Sequence, residues 1–242
     1  MTYTRPKHLL PIVNKPHLEH VFDLLLNHDV SDVVLLTSYL ADAFEEVMDR
    51  ARERGLAVET TFEKEPLGTA GAIKNAQDFV GDSTFLVFNG DILTDMDLSA
   101  FVDFHKRRGA GASIALQPVE DPSIYGVVPT DDDGRVEGFV EKPPPGEATT
   151  NLINAGVYVF EPEVLDMVPR GEVWSAERQL FPDLVATGAL YASHEPGYWM
   201  DIGTPEKYLR ANIDALQGDY RAPDHDANSG GVVVAPDAEV AA

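Results

Sequence analysis

The chain has 242 residues, 44% of them hydrophobic, which is enough to bury the core of one large α/β domain, with or without an appendage. Its 41 Asp and Glu residues outnumber its 18 Lys and Arg residues, for a formal net charge of −23. This charge disfavours binding to nucleic acid or to an anionic membrane surface. The absence of cysteine excludes disulfides and thiolate metal sites.

Neither a membrane span nor a signal peptide is predicted, because no apolar run reaches about 18 residues and no charged-then-apolar segment opens the chain. We therefore expect a cytoplasmic protein. The acidic surface is typical of a solubility adaptation, such as that of a salt-loving organism with an acidic proteome. If the ligand is an anion, the few lysines near its site must supply the local positive charge.

Strand-like and helix-like segments alternate through the first half of the chain. Apolar residues at helical spacing predict a helix from after Pro16 to about Asn27, another ending at Gly55 and a third over 69–79. Short apolar runs predict strands over 30–37, 56–65 and 84–91. This alternation predicts an α/β fold with a doubly wound, mostly parallel (Rossmann-like) sheet that binds ligands at the carboxyl ends of its strands.

The second half is richer in strand-like segments and predicts a β-rich insertion. YGVVPT and RVEGFVEKP flank an Asp-Gly turn, which predicts a hairpin over 125–143. Further strands are predicted over 112–119, 154–160, 190–195 and 197–203. Helices are predicted near 163–167 and over 176–186 and 204–216.

Two aspartates stand at predicted strand ends. Asp91 closes NGD after a strand, and Asp201 lies in WMDIG before a Thr-Pro helix start. Two carboxylates from separate strand ends suit Mg²⁺, which takes few protein oxygens and leaves its other positions to phosphate and water. The alternative for Asp91 alone is a turn-forming aspartate beside glycine.

Two further motifs are typical of phosphate or sugar binding. In LGTAGA, Gly68 and Gly71 flank a turn into a helix, so the backbone can approach a flat or anionic group. In FVEKPPPGE, Lys142 follows a strand and precedes prolines that hold the loop open. A plain loop-to-helix junction and a solvated loop lysine remain as alternatives.

The motifs occur in an order that resembles the sugar-1-phosphate nucleotidylyltransferases, the NDP-sugar pyrophosphorylases. The resemblance covers residues 1–217 and rests on PKHLLPIVNKP, EPLGTAGAIKNA, FNGDIL, DPSIYGVV, EKP, NLINAGVYVF and YWMDIGTPEKYL. It implies formation of an NDP-sugar and pyrophosphate from an NTP and a sugar 1-phosphate. The in-line attack on the α-phosphorus needs mainly positioning and charge neutralisation.

Site residues follow from the resemblance, motif by motif. The implied catalytic residues are Lys7, Asp91 and Asp201, the two aspartates holding Mg²⁺. The implied nucleotide-binding residues are Glu63, Gly68, Thr69 and Gly90. The implied residues for the sugar phosphate are Tyr125, Gly126, Glu141, Lys142 and Asn154.

The base preference depends on Glu63, which matches a position where relatives that bind uracil or thymine often carry Gln. A carboxylate cannot donate to a pyrimidine O4, but it can accept from N1–H and N2–H of guanine. Glu63 therefore favours GTP, and the motifs resemble those of mannose-1-phosphate guanylyltransferases. A glucose-1-phosphate thymidylyltransferase is the rival, and a surface glutamate at a strand end is the structural alternative.

Both ends of the chain leave alternatives open. In this family a first strand and a glycine-rich turn precede the PKxLLP segment, and neither stands before Lys7. Either Met1 is internal to a longer chain, or the protein is a non-catalytic, sugar-nucleotide-binding paralogue. A general nucleotide-binding module fits EKP and NAGVYVF less well. Residues 218–242 read as a linker with the start of a left-handed β-helix, or as a disordered tail. A homo-oligomer is compatible with the sequence.

Overall fold

The predicted alternation of strands and helices is present in the computed structural model, which describes residues 5–37 and 40–221. The strands are β1 (Pro11–Ile12), β2 (Lys15–Pro16), β3 (Asp32–Thr37), β4 (Ala57–Phe62), β5 (Phe85–Phe88), β6 (Ile92–Thr94), β7 (Ala112–Pro118), β8 (Gly126–Val127), β9 (Val140–Glu141), β10 (Leu152–Phe160), β11 (Leu190–His194) and β12 (Trp199–Asp201). The helices are α1 (His17–Asn27), α2 (Glu45–Glu53), α3 (Gly68–Asn75), α4 (Gln77–Val80), α5 (Leu98–Arg108), α6 (Phe181–Thr187) and α7 (Pro205–Gln217). The predicted β-helix start lies outside the described residues.

The α/β class is confirmed, but the largest sheet is mixed rather than mostly parallel. Its order is β11-β7-β10-β8-β9, with β5 also on β10. β11 is parallel to β7, whereas β10 is antiparallel to β5, β7 and β8. Parallel neighbours need a crossover, usually an α-helix, and none lies between β7 and β10, so the chain returns antiparallel. β3 and β4 form a separate parallel pair.

Alternate residues of β10 enter two hydrophobic clusters, which places helices on both faces of the sheet. Val157 and Val159 pack with Phe22 and Phe101, in a cluster that α1, α2 and α5 cover. Tyr158 and Phe160 join the second cluster, to which α3 and α6 contribute. Because side chains alternate across a strand, the apolar NAGVYVF run serves both layers. The sheet is therefore doubly wound, as predicted.

Two local predictions have clear outcomes. The hairpin around the Asp-Gly turn is confirmed, since β8 pairs with β9 and Thr130 bridges Val136. Helix α5 was not predicted, although its end signals are present. Asp97 accepts a hydrogen bond from the Ala100 N–H at 2.9 Å, and Gly109 ends the helix with φ +57°.

The N-terminal segment is held against the closing helix α7. The Tyr208 hydroxyl donates to the Pro11 carbonyl at 2.6 Å, and the Val13 N–H donates to Asn212 Oδ1 at 2.9 Å. A third buried cluster lies beneath this contact and comprises Ile12, Leu93, Ile202, Ala211 and Tyr220. These contacts bring the PKH segment to the end of β6. None of the helices in the described ranges is long and apolar enough to cross a membrane.

His17 ties the start of α1 to β6. Its ring is buried, and Nε2 donates to the Ile92 carbonyl at 3.1 Å. The pKa of His17 is lowered to about 3, mainly by burial and then by the nearby charges of His20, His8 and Lys7, while the hydrogen bond to the Ile92 carbonyl opposes the shift. The imidazole is therefore neutral in the folded protein at ordinary pH.

We expect His17 to make the protein less stable in mild acid. Between pH 6.5 and pH 3 the imidazole is protonated in the unfolded chain, where its pKa is near 6.5, but stays neutral in the folded protein. The free energy of unfolding therefore falls as the pH drops below 6.5 towards 3. Between about pH 7.5 and about pH 5, the wild type should lose about 2 kcal/mol more unfolding free energy than His17→Gln. Urea unfolding of both proteins at both pH values measures this difference, and equal losses would contradict it.

Candidate active site

Asp91 and Asp201 are brought together by the antiparallel pair β6–β12. Asp201 lies opposite Ile92, and the Ile202 N–H donates to the Asp91 carbonyl at 3.0 Å. Each aspartate side chain is 25% exposed, so a ligand can reach both. The two strand-end aspartates of the sequence therefore become neighbours, although they come from opposite halves of the chain.

A lysine pairs with each aspartate. Lys7 forms an ion pair with Asp91 Oδ2. The Lys207 ammonium donates to Asp201 Oδ2 at 2.9 Å and to the Tyr125 hydroxyl at 2.7 Å. Burial alone would lower the pKa of Lys207, but its hydrogen bonds to Tyr125 and Asp201 outweigh that effect and raise the pKa. The four charges cancel.

Lys207 was missed in the sequence, although a signal was there. Its backbone N–H donates to the side chain of Thr204, the N-cap of α7, at 3.3 Å, so Lys207 stands in the first helical turn. Cations are disfavoured at that end by the helix dipole. A lysine just after a strand-end aspartate therefore suggests a local charge partner.

The donor set fits Mg²⁺. Asp91 and Asp201 supply hard oxygens, and within the described residues no group of three or more His, Cys, Asp or Glu side chains could hold a metal ion. Mg²⁺ commonly binds through one or two carboxylates and completes its shell with water and substrate phosphates. A site of two carboxylates is therefore adequate for this ion when a phosphate ligand is present.

The residues predicted to bind the sugar phosphate form a second group beside Tyr125. Gly126 pairs with Glu141 across β8 and β9, and the Lys142 N–H donates to the Tyr125 carbonyl at 3.0 Å. A Cβ at Gly126 would lie 2.6 Å from the Phe139 ring, so a larger residue would not fit there. The Lys142 side chain is 66% exposed, and its ammonium lies 4.0 Å from a Glu141 oxygen.

Asn154 lies on β10, with its amide already oriented by the protein. Its Nδ2 donates to the Tyr158 hydroxyl at 2.9 Å, and its Oδ1 accepts from the Gly156 N–H at 2.9 Å. Burial raises the pKa of the Tyr158 hydroxyl, which keeps that hydroxyl neutral. The side chain of Asn154 is therefore rigid.

On the predicted nucleotide side, the glycines of LGTAGA pack against another stretch of backbone. A Cβ at Gly68 would lie 2.8 Å from the Trp174 carbonyl oxygen, and one at Gly71 would lie 2.7 Å from the Glu172 carbonyl oxygen. The Gly71 N–H also donates to the Trp174 carbonyl at 3.0 Å. The need for glycine is thus explained by this contact, and a direct role of Gly68 in nucleotide binding stays a prediction.

Gly90 packs against an imidazole. A Cβ at Gly90 would lie 2.8 Å from His8 Cδ2, so the ring of His8 occupies the space that a side chain would need. Burial, followed by the charge of Lys7, lowers the pKa of His8, while Asp91 opposes the shift. A neutral His8 ring therefore packs beside the Lys7–Asp91 pair.

A contact between Thr69 and Glu177 lies between the predicted nucleotide-binding loop and the predicted sugar-binding residues. The Thr69 and Ser175 hydroxyls each donate to Glu177 Oε2 at 2.8 Å. Glu177 lies in a π-helical turn, Ala176–Leu180, where a continuous α-helix was predicted. π-Turns are frequent at functional sites. Burial and then the charge of Glu177 raise the pKa of Glu141, so the two carboxylates lie close enough to interact electrostatically. Sequence reasoning missed Glu177.

Glu63 is buried, which excludes the surface alternative. The residue is 9% exposed and directly follows β4. Its Oε2 accepts from the Leu67 N–H at 3.3 Å, and its Oε1 is buried without a hydrogen-bond partner among the described residues. A buried carboxylate oxygen without a donor is costly. A ligand with N–H groups would satisfy it.

A family model described as "Nucleotidyl transferase" matches residues 1–218. The chain belongs to this nucleotidyl transferase family. The resemblance to sugar-1-phosphate nucleotidylyltransferases is thereby confirmed, because the chain is 38% identical over 225 residues to a mannose-1-phosphate guanylyltransferase of Mycobacterium tuberculosis. That match covers 92% of this chain and 62% of the relative. A UTP–glucose-1-phosphate uridylyltransferase of Synechocystis is also 38% identical over 225 residues, covering 87% and 58%.

Solved structures of relatives have the same fold. HddC from Yersinia pseudotuberculosis is 31% identical, with a TM-score of 0.75 over 88% of the present chain and 91% of the HddC chain. A second structure of HddC is complexed with GMP-PN. A putative glucose-1-phosphate thymidylyltransferase from Bacillus anthracis is 25% identical, with a TM-score of 0.78 over 95% and 92% of the two chains. The chain spans less than two thirds of the length of the curated relatives it matches.

We expect Gly71→Ala to destabilise the fold through its contact with 172–174. The added Cβ would meet the Glu172 carbonyl, and relieving that clash should cost about 1–3 kcal/mol of unfolding free energy. Gly138→Ala is the matched control, because its Cβ would find only Pro129 Cγ at 3.8 Å and should change stability by less than about 0.5 kcal/mol. Urea unfolding compares the two, and similar effects would refute the contact argument.

Proposed function

We propose that this protein forms an NDP-sugar and pyrophosphate from an NTP and a sugar 1-phosphate, with GTP and mannose 1-phosphate as its substrates. The observation that carries the proposal is the pairing of Asp91 and Asp201 at one end of β6–β12, beside the Tyr125, Glu141 and Lys142 group. Relatives that are 38% identical carry the name mannose-1-phosphate guanylyltransferase.

In this proposal the chain positions two anionic substrates and neutralises their charge. The sugar 1-phosphate oxygen attacks the α-phosphorus, and pyrophosphate leaves with the bond electrons. Lys7 contacts the reacting phosphates, and Lys142, which is largely exposed, contacts the sugar phosphate. Glu141 and Asn154 bind sugar hydroxyls. A Mg²⁺ ion held by Asp91 and Asp201 would offset the charge that develops on the phosphate oxygens.

The preference for guanine rests on the unpartnered oxygen of Glu63. Guanine offers two adjacent donors, N1–H and N2–H, whereas uracil and thymine offer one N–H beside an acceptor. A buried carboxylate oxygen therefore suits guanine better. The HddC structure with GMP-PN supports the idea that this fold takes a guanine nucleotide. Thymidylyl or uridylyl transfer is the alternative, favoured by the relatives from Bacillus anthracis and Synechocystis.

The central prediction is that the protein, mixed with Mg²⁺, GTP and mannose 1-phosphate, releases pyrophosphate. A coupled pyrophosphate assay with GTP, dTTP and UTP, and with mannose and glucose 1-phosphates, measures which pair is used. Release with no substrate pair would favour the non-catalytic alternative instead.

Cytoplasmic location and homo-oligomerisation stay predictions.

Asp201→Asn should reduce turnover by about 10³-fold or more, because it removes one of two carboxylates that would hold the metal. The fold should persist, because an asparagine oxygen can still accept the hydrogen bond that the Gly203 N–H donates to Asp201 Oδ1. Asp183→Asn, at an exposed position of α6, serves as the control. Pyrophosphate release gives the rate, and circular dichroism checks the fold. Retained activity would refute the metal assignment.

Glu63→Gln should shift the base preference. The amide loses the charged acceptor, so kcat/KM for GTP should fall roughly 10- to 100-fold while that for dTTP or UTP is unchanged or higher. Glu65→Gln is the control, since Glu65 is exposed two residues further along. If both variants keep the wild-type ratio of kcat/KM for GTP to kcat/KM for dTTP, Glu63 does not determine the base preference.

A further inference from the structure

Lys207 is a partly buried, hydrogen-bonded cation of the candidate site. Its ammonium is hydrogen-bonded to Asp201 and to the Tyr125 hydroxyl, and it lies 4.9 Å from the centroid of the Tyr125 ring. Its side chain is only 25% exposed, compared with 66% for Lys142. A lysine in this position bridges the proposed metal side and the proposed sugar side of the site.

Both oxygens of Asp201 are engaged by the protein. Oδ1 accepts from the Gly203 N–H at 2.7 Å, and Oδ2 accepts from Lys207 at 2.9 Å. The Gly203 N–H belongs to the turn that precedes α7, so it cannot leave without a backbone change. The lysine side chain has four rotatable bonds and can leave. Lys207 is therefore the partner that an incoming cation can displace.

Asp91 is likewise paired with a lysine, Lys7, through its Oδ2. Two ammonium groups and two carboxylates make a neutral set in a chain whose net charge is −23. A divalent cation at these carboxylates must compete with the ammonium groups. An ammonium freed from Asp201 has a second partner in Tyr125, which adjoins Lys142 on the sugar side.

We propose that Lys207 is the counter-ion of Asp201 in the metal-free protein and a positioning residue for the sugar 1-phosphate once a divalent cation is bound. The ammonium leaves Asp201, stays on Tyr125 and presents its charge to the phosphate. The phosphate part of this inference rests on the proposed function, whereas the counter-ion part does not. The competing explanation is that Lys207 has only a structural role and fastens α7 to Tyr125, the residue before β8.

Metal binding without substrate tests the counter-ion part. Mn²⁺ is titrated into the wild type, Lys207→Met, Lys207→Arg and Lys106→Met, and free Mn²⁺ is measured by electron paramagnetic resonance. Removing the competing charge should tighten Mn²⁺ binding roughly three- to tenfold in Lys207→Met. Lys207→Arg keeps the charge and should stay near the wild type, as should Lys106→Met at an exposed position of α5. Unchanged or weaker binding in Lys207→Met overturns the proposal, because a tether would lower only the melting temperature.

Calorimetric titration of mannose 1-phosphate tests the positioning part. In the presence of Mg²⁺, Lys207→Met should bind this ligand about tenfold more weakly than the wild type does, whereas without Mg²⁺ the two should differ little. An equal loss in both conditions would overturn the positioning role. If Lys207→Met does not fold, Lys207→Gln is measured in its place with the same expected changes.

The outcomes separate this inference from the proposed function. Tighter Mn²⁺ binding in Lys207→Met, in a protein that releases no pyrophosphate with any substrate pair, supports the counter-ion and refutes the activity. Turnover in the wild type, with unchanged Mn²⁺ and mannose 1-phosphate affinities in Lys207→Met, supports the activity and refutes the role of Lys207.

Discussion

The backbone pairing of β6 with β12 joins the two halves of the chain at the residues that carry the charge of the site. Asp201 lies opposite Ile92, and the Asp91 carbonyl accepts a hydrogen bond from the N–H of Ile202, the residue that follows β12. A buried cluster that includes Leu93 and Ile202 lies beneath the pair. Because side chains alternate along a strand, a slip of one residue would turn Asp201 to the opposite face. The register is therefore what makes two distant aspartates one site.

Positively charged side chains lie at the candidate site, although acidic residues are in excess over the whole chain. A protein with a net charge of −23 repels anionic ligands at long range, so cations inside the site must provide the attraction. In the proposed reaction Lys7 and Lys207 are such cations. Each is paired with a carboxylate in this structure, so its charge becomes available to an anion only when that ion pair is broken. His8 and His17 stay neutral beside them because they are buried, so they add no competing charge.

The segment 172–177 contacts the predicted nucleotide loop and lies near the predicted sugar pocket. Its carbonyls pack directly on the glycines that open α3, and its Glu177 accepts a hydrogen bond from Thr69. The same carboxylate lies near enough to Glu141 to raise the pKa of that residue. The π-helical turn that holds Glu177 thus places one acidic side chain between the predicted nucleotide loop and the predicted sugar pocket. The segment 172–177 is therefore a structural element that the predicted nucleotide loop and the predicted sugar pocket share.

Local patterns in the sequence determined the α/β class, the hairpin around the Asp-Gly turn, and the strand-end aspartates Asp91 and Asp201, because periodicity and turn chemistry act between near neighbours in the chain. Helix α5 lay within reach of the same reasoning, through Asp97 and Gly109 at its ends. The tertiary structure alone decided the antiparallel course of β10, the contact of Gly71 with the Glu172 carbonyl, and the position of Lys207 between Tyr125 and Asp201. These features depend on which distant segments meet, and spacing along one chain does not encode which partner lies across a sheet or above a helix.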